Sequence, residues 1–334
     1  MSHDIQILDS ELSFPAQPGL SVVDAALRAG IELPYSCRKG VCASCIGRVV
    51  QGEAQPLGTL PLRNEACGPG QVLLCQCRSV PGLTIAPMRA RRIDAFAPRR
   101  LQAKVYRNTL AAPDVSVLEL RLPAGQRMKF RAGQYVHVHL VDGSTRSFSL
   151  ANPPQRNDGL TLHVRHVPGG RFSSTVPAMA RGQTLEVEGP YGSFTLDEGG
   201  PRQIVLVAGG TGFAPVHSIL EDIARRKLDL VPTLVWGGRQ ADDLYAPAAL
   251  TGWEKTLPGL TVVRALEDPQ GAVGAVTGRV VDALRALPHR LEAHAVYTCG
   301  SPGMVDAVRA VCVSELGLDP AHFHCDAFVP GPAA

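Results

Sequence analysis

The chain lacks the marks of a nucleic-acid binder, a secreted scaffold or a membrane protein. Its 33 Lys and Arg nearly cancel its 30 Asp and Glu, leaving a net charge of +3 over 334 residues. A dedicated nucleic-acid domain carries a clear basic excess, so no nucleic-acid partner is expected. The opening MSHDIQILDSEL has no basic stretch followed by an apolar one, so no signal peptide is read there. The longest apolar stretches, such as Ile204–Ala208, fall far short of a bilayer span. A protein free of the membrane and located in the cytoplasm is expected. No internal repeat and no low-complexity tract is visible.

What the chain does have is a concentration of cysteine. Six of its nine cysteines lie between Cys37 and Cys77, and Cys299, Cys312 and Cys325 are scattered. A disulfide scaffold would be shorter and denser in Cys, so a tight cluster points to metal or redox chemistry. With 45% hydrophobic and 19% charged residues the composition is globular, and the length allows two or three domains.

Three patterns follow one another. Residues 1–92 are the cysteine-rich stretch: Ile5-x-Ile7 and Leu12-x-Phe14 alternate as strands do, and Ser21 is placed to cap a helix running to Arg28 and closed by Gly30. Residues 93–100 read as a linker, part of the Arg-rich MRARRIDAFAPRR, whose arginines are expected to be solvated. From 101 to 200, alternations such as Leu118-Leu120-Leu122 and Leu160-Leu162-Val164, divided by turn residues, predict an antiparallel β-barrel. From 201 to 334, apolar strands alternate with helical spacings such as Val216-Ile219-Leu220-Ile223, which predicts an α/β domain with a parallel sheet.

The segment Cys37-Arg-Lys-Gly-Val-Cys42-Ala-Ser-Cys45, followed by a distant cysteine, has the C-x4-C-x2-C spacing of a plant-type [2Fe–2S] site. One short loop must wrap a small cluster with three thiolates while its N–H groups face the sulfurs. Gly40 and Ala43 keep side chains clear. A zinc site would show two C-x2-4-C pairs, and this loop has one. Spacing leaves Cys75 and Cys77 both open as the fourth ligand.

Five motifs in order then resemble a known family: the reductase components of bacterial aromatic-ring oxygenases and related monooxygenases. In these an α+β, β-grasp ferredoxin domain precedes a ferredoxin–NADP reductase-like module. The cysteine loop is the first motif, and Val-Leu-Leu-Cys75-Gln resembles the strand bearing the last ligand of plant-type ferredoxins. The implied metal ligands are therefore Cys37, Cys42, Cys45 and Cys75. Family loops often carry Gly where Ala43 stands. The second motif, Arg146-Ser147-Phe148-Ser149, resembles R-x-Y-S. The resemblance implies an arginine for the flavin pyrophosphate, an aromatic ring against the isoalloxazine and a hydroxyl for flavin N5. Phe148 replaces the usual Tyr. The strand from His163, with Val164 and Arg165, leads to the third, Gly170-Arg171-Phe172-Ser173, which resembles a phosphate loop, with a helix expected from Ser173.

The fourth, Gly210-Thr211-Gly212-Phe213-Ala214-Pro215, is a G-x-G-x-x-P turn between strand and helix. The fifth, Cys299-Gly300-Ser301-Pro302-Gly303-Met304, resembles the nicotinamide segment. Gly237 and Arg239 end a strand where the adenosine ribose would lie, and Asp326-Ala327-Phe328 resembles the acidic and aromatic tail. The resemblance implies FAD and NADH, with NADPH possible. It assigns catalytic roles to Ser149, Cys299, Asp326 and Phe328. An oxygenase component or small ferredoxin is the expected acceptor, and Arg38 and Lys39 are candidates to meet an acidic partner. The alternatives are a reductase for a sugar-deoxygenating dehydrase, CDP-6-deoxy-3,4-glucoseen reductase-like, and a redox-sensing protein. His137, His139 and the His322-x-His324-Cys325 run are read as strand residues rather than metal ligands.

Overall fold

A computed structural model describes residues 3–59, 61–93, 98–270, 272 and 274–329. The centre of the expected linker, 94–97, lies outside the described residues. The chain forms two compact units: one of residues 1–97 with Gly192–Phe194 and Cys325–Val329, the other of the remainder.

In the first unit a five-stranded sheet runs in the order Ser13–Pro15, Asp4–Ile7, Thr84–Pro87, Ile46–Gln51, Gln71–Leu73. Alternation explains its core, because Ile5, Ile7 and Phe14 are buried while their neighbours face outward. The helix Val22–Arg28 is capped by Ser21, whose hydroxyl oxygen accepts from the Asp24 N–H at 3.1 Å, and Gly30 leaves it at φ +72°. The arginine-rich stretch is not wholly solvated. Arg91–Arg92 pairs with Ile31–Glu32 as a short ribbon, and the Arg91 guanidinium lies 2.6 Å from the Glu32 carboxylate, which is 4% exposed. A carboxylate that deep needs a cation, and a nearby arginine supplies it.

The second unit begins with a six-stranded antiparallel sheet in the order Thr145–Ser149, Tyr135–His139, Thr184–Tyr191, Arg99–Ala112, Val115–Arg121, Gly159–Arg165. A bridge between Leu150 and Leu162 joins its two ends, so the sheet closes as a barrel. The inward set includes Leu118, Leu120, Leu160, Leu162 and Val164, all buried in one cluster. Arg99 and Arg100, read as linker, already belong to a barrel strand and pair with Gly189 and Glu188.

A second six-stranded sheet follows, in the order Ala275–Thr277, Thr261–Leu266, Val231–Gly238, Gln203–Gly209, His294–Gly300, Phe323–Ala327. Its first five strands are parallel. The chain starts at Gln203–Gly209, winds three strands to one side, then returns to add His294–Gly300 on the other. The order therefore reverses between the strands ending at Gly209 and Gly300. A doubly wound sheet binds its ligand at such a reversal, outside the carboxyl ends of the strands. The fold thus places the fourth and fifth motifs at one crevice before any side chain is considered. No helix among the described residues is long and apolar enough to cross a membrane.

Candidate functional site: three cofactor stations

The cysteine loop is shaped by left-handed residues. Arg38, Gly40 and Ala43 have φ of 55°, 76° and 58°, which turns successive N–H groups to one side. The N–H groups of Lys39 and Cys42 each point at Cys37 Sγ at 3.4 Å. Cys42 hydrogen-bonds the Cys37 thiol, which together with these N–H groups holds Cys37 down to about 6. Cys45 Sγ lies 3.2 Å from Cys75 Sγ, a contact that raises Cys45 and lowers Cys75. Among the described residues no three His, Cys, Asp or Glu side chains surround a single ion. Two thiol pairs, Cys37 with Cys42 and Cys45 with Cys75, suit a two-iron cluster that takes two thiolates per iron.

Cys75 sits in a turn between the strands Gln71–Leu73 and Cys77–Ser79, not in a strand as its local sequence led us to expect, because the chain reverses there to pair with Ala54–Pro56. Gln76 Nε2 donates to the Cys75 sulfur at 3.2 Å. The Cys77 thiol faces the Leu74 carbonyl instead, and burial pushes it up to about 12. Cys67 faces Asn64. Ala43 carries its positive φ at a cost that glycine does not pay. Ala43→Gly should raise stability by about 0.5–1 kcal/mol, read from denaturant unfolding of the loaded protein.

At the flavin station Phe148 packs on Phe172 with ring centres 5.1 Å apart. Ser149 is 6% exposed, and its hydroxyl has no hydrogen-bond partner among the described residues. The Arg146 guanidinium touches only its own turn, Thr145 O at 2.9 Å and Ser144 Oγ at 3.4 Å, and reaches no carboxylate among the described residues. A half-buried cation without a counterion suits an anionic ligand such as a pyrophosphate. Arg146→Ala should therefore lower the FAD content of purified protein about tenfold or more, since a charge-assisted contact is worth roughly 1.5–3 kcal/mol; absorbance after gel filtration measures it.

The phosphate loop differs from expectation. Ser173 opens no α-helix; turns run through residues 171–175 to a 3-10 turn at Val176–Ala178. Two β-branched residues and Pro177 disfavour a helix there. Ser173 Oγ accepts from the Val167 N–H at 3.2 Å, and a Cβ at Gly170 would stand 2.9 Å from the Val167 carbonyl oxygen. Arg171 is spent on Asp142 at 2.6 Å.

At the nicotinamide station the glycines serve close packing. A Cβ at Gly212 would stand 2.6 Å from the carbonyl carbon of Cys299, and one at Gly300 would stand 2.8 Å from the Met304 methyl. Gly210, at φ +54°, faces the Arg165 guanidinium, which is ion-paired with Asp114. Pro215 lies in the first turn of the helix Phe213–Arg226, where its missing N–H does no harm. Thr211 lies in the 3-10 turn before that helix, and Met304 in the helix Pro302–Ala310. Gly237 lies against Val280. His163 is buried, hydrogen-bonded to Tyr245 at 2.9 Å, and burial holds it down to about 3, so its ring is neutral. Val164 points into the barrel core.

Sequence reading missed Asp114 and Tyr245, which lie 51 and 82 residues from their partners. Arg38 pairs with Asp24, and Lys39 Nζ donates to the Val329 carbonyl at 3.1 Å, so both expected docking charges have partners within the chain. His139 pairs with Glu188 at 2.8 Å, and His324 stacks on Tyr297. Asp326 meets Ser36, and Phe328 is half-buried in the same compact unit.

Comparison with known proteins fits these three stations. Residues 5–80 match the 2Fe-2S iron-sulfur cluster binding domain, 102–196 the oxidoreductase FAD-binding domain and 206–310 the oxidoreductase NAD-binding domain. The chain is 50% identical over 333 residues to the reductase component 2 of terephthalate 1,2-dioxygenase from a Comamonas species, covering 99% of each. It is 30% identical over 331 residues to the CDP-6-deoxy-L-threo-D-glycero-4-hexulose-3-dehydrase reductase of Yersinia pseudotuberculosis, again covering 99% of each. The Amycolatopsis cytochrome P450 reductase GcoB superposes with a TM-score of 0.79 at 30% identity, covering 99% of this chain and 100% of that one. The fold and stations define an NAD(P)H-dependent iron–sulfur flavoprotein oxidoreductase. The chain belongs to the family of oxygenase reductase components, and its cofactors are a [2Fe–2S] cluster, FAD and NADH.

Proposed function

We propose that this chain is the cytoplasmic reductase of an aromatic-ring dioxygenase and that it draws its electrons from NADH in preference to NADPH. The observation that carries the acceptor is the full-length 50% identity to a terephthalate dioxygenase reductase, against 30% to the sugar dehydrase reductase. With its cofactors bound, such a chain takes two electrons as one hydride at the flavin and passes them on singly through the cluster.

The chain's own residues bind and orient. Arg146 neutralises the flavin diphosphate, Phe148 offers its ring to the flavin with the buried Phe172 behind it, and Ser149 offers its unspent hydroxyl to the reacting edge. Gly212 lets the helix Phe213–Arg226 start against Cys299 and Gly300, so its N–H groups face the nicotinamide diphosphate. Cys37, Cys42, Cys45 and Cys75 hold the cluster.

The nicotinamide preference is set at Arg239. Asp243 Oδ2 accepts from the N–H of Arg239 at 2.7 Å and of Gln240 at 3.1 Å, and the Asp268 N–H donates to the Arg239 carbonyl at 2.7 Å. Asp242 and Asp243 lie beside the one arginine, where a ribose 2′-phosphate would be repelled. NADH should give a kcat/KM roughly tenfold or more above that of NADPH, on the scale of one lost charge contact; a clear NADPH advantage would refute the preference. The acceptor is tested by mixing the purified chain with NADH and a terephthalate dioxygenase oxygenase component. Substrate-dependent NADH oxidation supports it. Coupling to the sugar dehydrase alone would move the chain to that branch.

A further inference from the structure

The residues around the cysteine loop are held by two short segments distant in sequence. Tyr35 is 2% exposed, and its N–H donates to Ser193 Oγ at 2.7 Å. The Ser193 hydroxyl donates back to the Tyr35 carbonyl at 2.7 Å, and the Gly192 N–H donates to the Tyr35 hydroxyl at 2.7 Å. On the other side the Ser36 hydroxyl donates to the Asp326 carboxylate. Ser44 Oγ donates to the Cys325 carbonyl at 3.2 Å, and the Cys325 thiol points at the Cys42 carbonyl at 3.5 Å. Lys39 Nζ adds the Val329 carbonyl. Ser36, Asp326 and Cys325 are all buried.

These contacts bracket the proposed ligands: Ser36 precedes Cys37, and Ser44 lies between Cys42 and Cys45. Groups of this kind, one bond outside the ligands, set ligand orientation and local charge. We propose that Asp326 is a positioning residue of the cluster, fixing the first ligand through Ser36 and setting the cluster's reduction potential, with Ser193 and Cys325 completing the collar. The physical basis is direct. Reduction adds one negative charge to the cluster, and a buried carboxylate hydrogen-bonded to the residue before a ligand disfavours that charge. Gly192–Phe194 and Cys325–Val329 belong to the same compact unit as the ferredoxin stretch.

The inference rests on the cluster reading, which iron and sulfide analysis of the unaltered protein tests by itself. The experiment is a redox titration of full-length holoprotein followed by electron paramagnetic resonance. Asp326→Asn should retain iron and sulfide and raise the cluster's electron affinity about tenfold, an upward shift of about 59 mV for one electron. Asp326→Glu should restore most of the original potential. Ser36→Ala, which removes only the donor, should shift the potential in part and alter the spectrum. If Asp326→Asn cannot be loaded, Ser36→Ala decides, and an unmoved potential there overturns the proposal. An unmoved potential in a fully loaded Asp326→Asn overturns it too. So does a variant whose ferricyanide reduction by NADH falls while the potential stays put, which would assign Asp326 to the hydride step.

Discussion

Cys75→Ser should strip the cluster from the protein, and Cys77→Ser should leave it in place. The two residues are separated only by Gln76, yet their surroundings are opposite. The Cys75 sulfur lies 3.2 Å from Cys45 and receives the Gln76 amide, so it is already placed as half of a pair. The Cys77 thiol is buried at the start of a strand, beside Leu74. An alcohol in place of Cys75 is a far weaker iron ligand than a thiolate, and a cluster missing one ligand in four is labile. Loss of a supporting group outside the ligands already costs roughly 10–100-fold in metal affinity or activity, so loss of a ligand should exceed that. Iron and sulfide should fall to near zero. NADH should still drive ferricyanide reduction, because hydride acceptance needs only the flavin station. Reduction of cytochrome c and of the oxygenase component should fall more than about 100-fold on the same scale. Cys77→Ser should keep the cluster and forfeit only stability, since a buried hydroxyl replaces a thiol. The reverse pattern would make Cys77 the ligand.

That spacing leaves the two cysteines open, and only the family resemblance around Cys75 favours it before the structure is seen, shows where the sequence stops. The spacing of Cys37, Cys42 and Cys45 is local, because one loop must wrap the cluster, and a local constraint leaves a local pattern. The proposed fourth ligand, Cys75, lies in a turn whose shape depends on two strands pairing elsewhere, so Cys75-Gln-Cys77 carried no spacing signature. The same division holds for the nucleotide turn. Gly210, Gly212 and Pro215 are readable because strand, turn and helix are consecutive, and Cys299 and Gly300 because they also end a strand. Their meeting at the sheet's reversal point is a property of strand order. The partners that complete the site are long-range: Asp114 for Arg165, Tyr245 for His163, Ser193 for Tyr35, Asp326 for Ser36. No spacing rule connects residues 158 or 290 positions apart. The expected helix at Ser173 failed for a local reason that was present in the sequence, the run Thr175-Val176-Pro177.

Gly212→Ala should cripple nicotinamide use while sparing the other two stations. Glycine in a G-x-G turn is usually explained by the approach of the ligand's phosphates. Here the protein itself fills the space. A methyl group at Gly212 would meet the Cys299 peptide, 2.6 Å from its carbonyl carbon and 3.0 Å from the Gly300 nitrogen. Backbone cannot rotate away as a side-chain tip can. Either the strand His294–Gly300 shifts, moving Cys299 from the crevice, or the helix Phe213–Arg226 starts further out and its N–H groups leave the phosphate position. Forcing one methyl into a packed interior costs roughly 1–3 kcal/mol, which at 1.4 kcal/mol per decade is about five- to 150-fold. That loss should fall on kcat/KM for NADH. Gly303→Ala is the comparison within the fifth motif, because a Cβ there meets nothing within 4 Å and the residue lies in the helix Pro302–Ala310. Alanine in that helix should stabilise by up to about 1 kcal/mol and leave NADH oxidation within about twofold, as surface changes of ±0.5 kcal/mol do. FAD and iron content should be unchanged in both variants, since a Cβ at Gly212 meets Cys299 and Gly300 and one at Gly303 meets nothing within 4 Å. If Gly212→Ala oxidised NADH as fast as the unaltered chain, the close approach of turn and strand would not be what positions the nicotinamide.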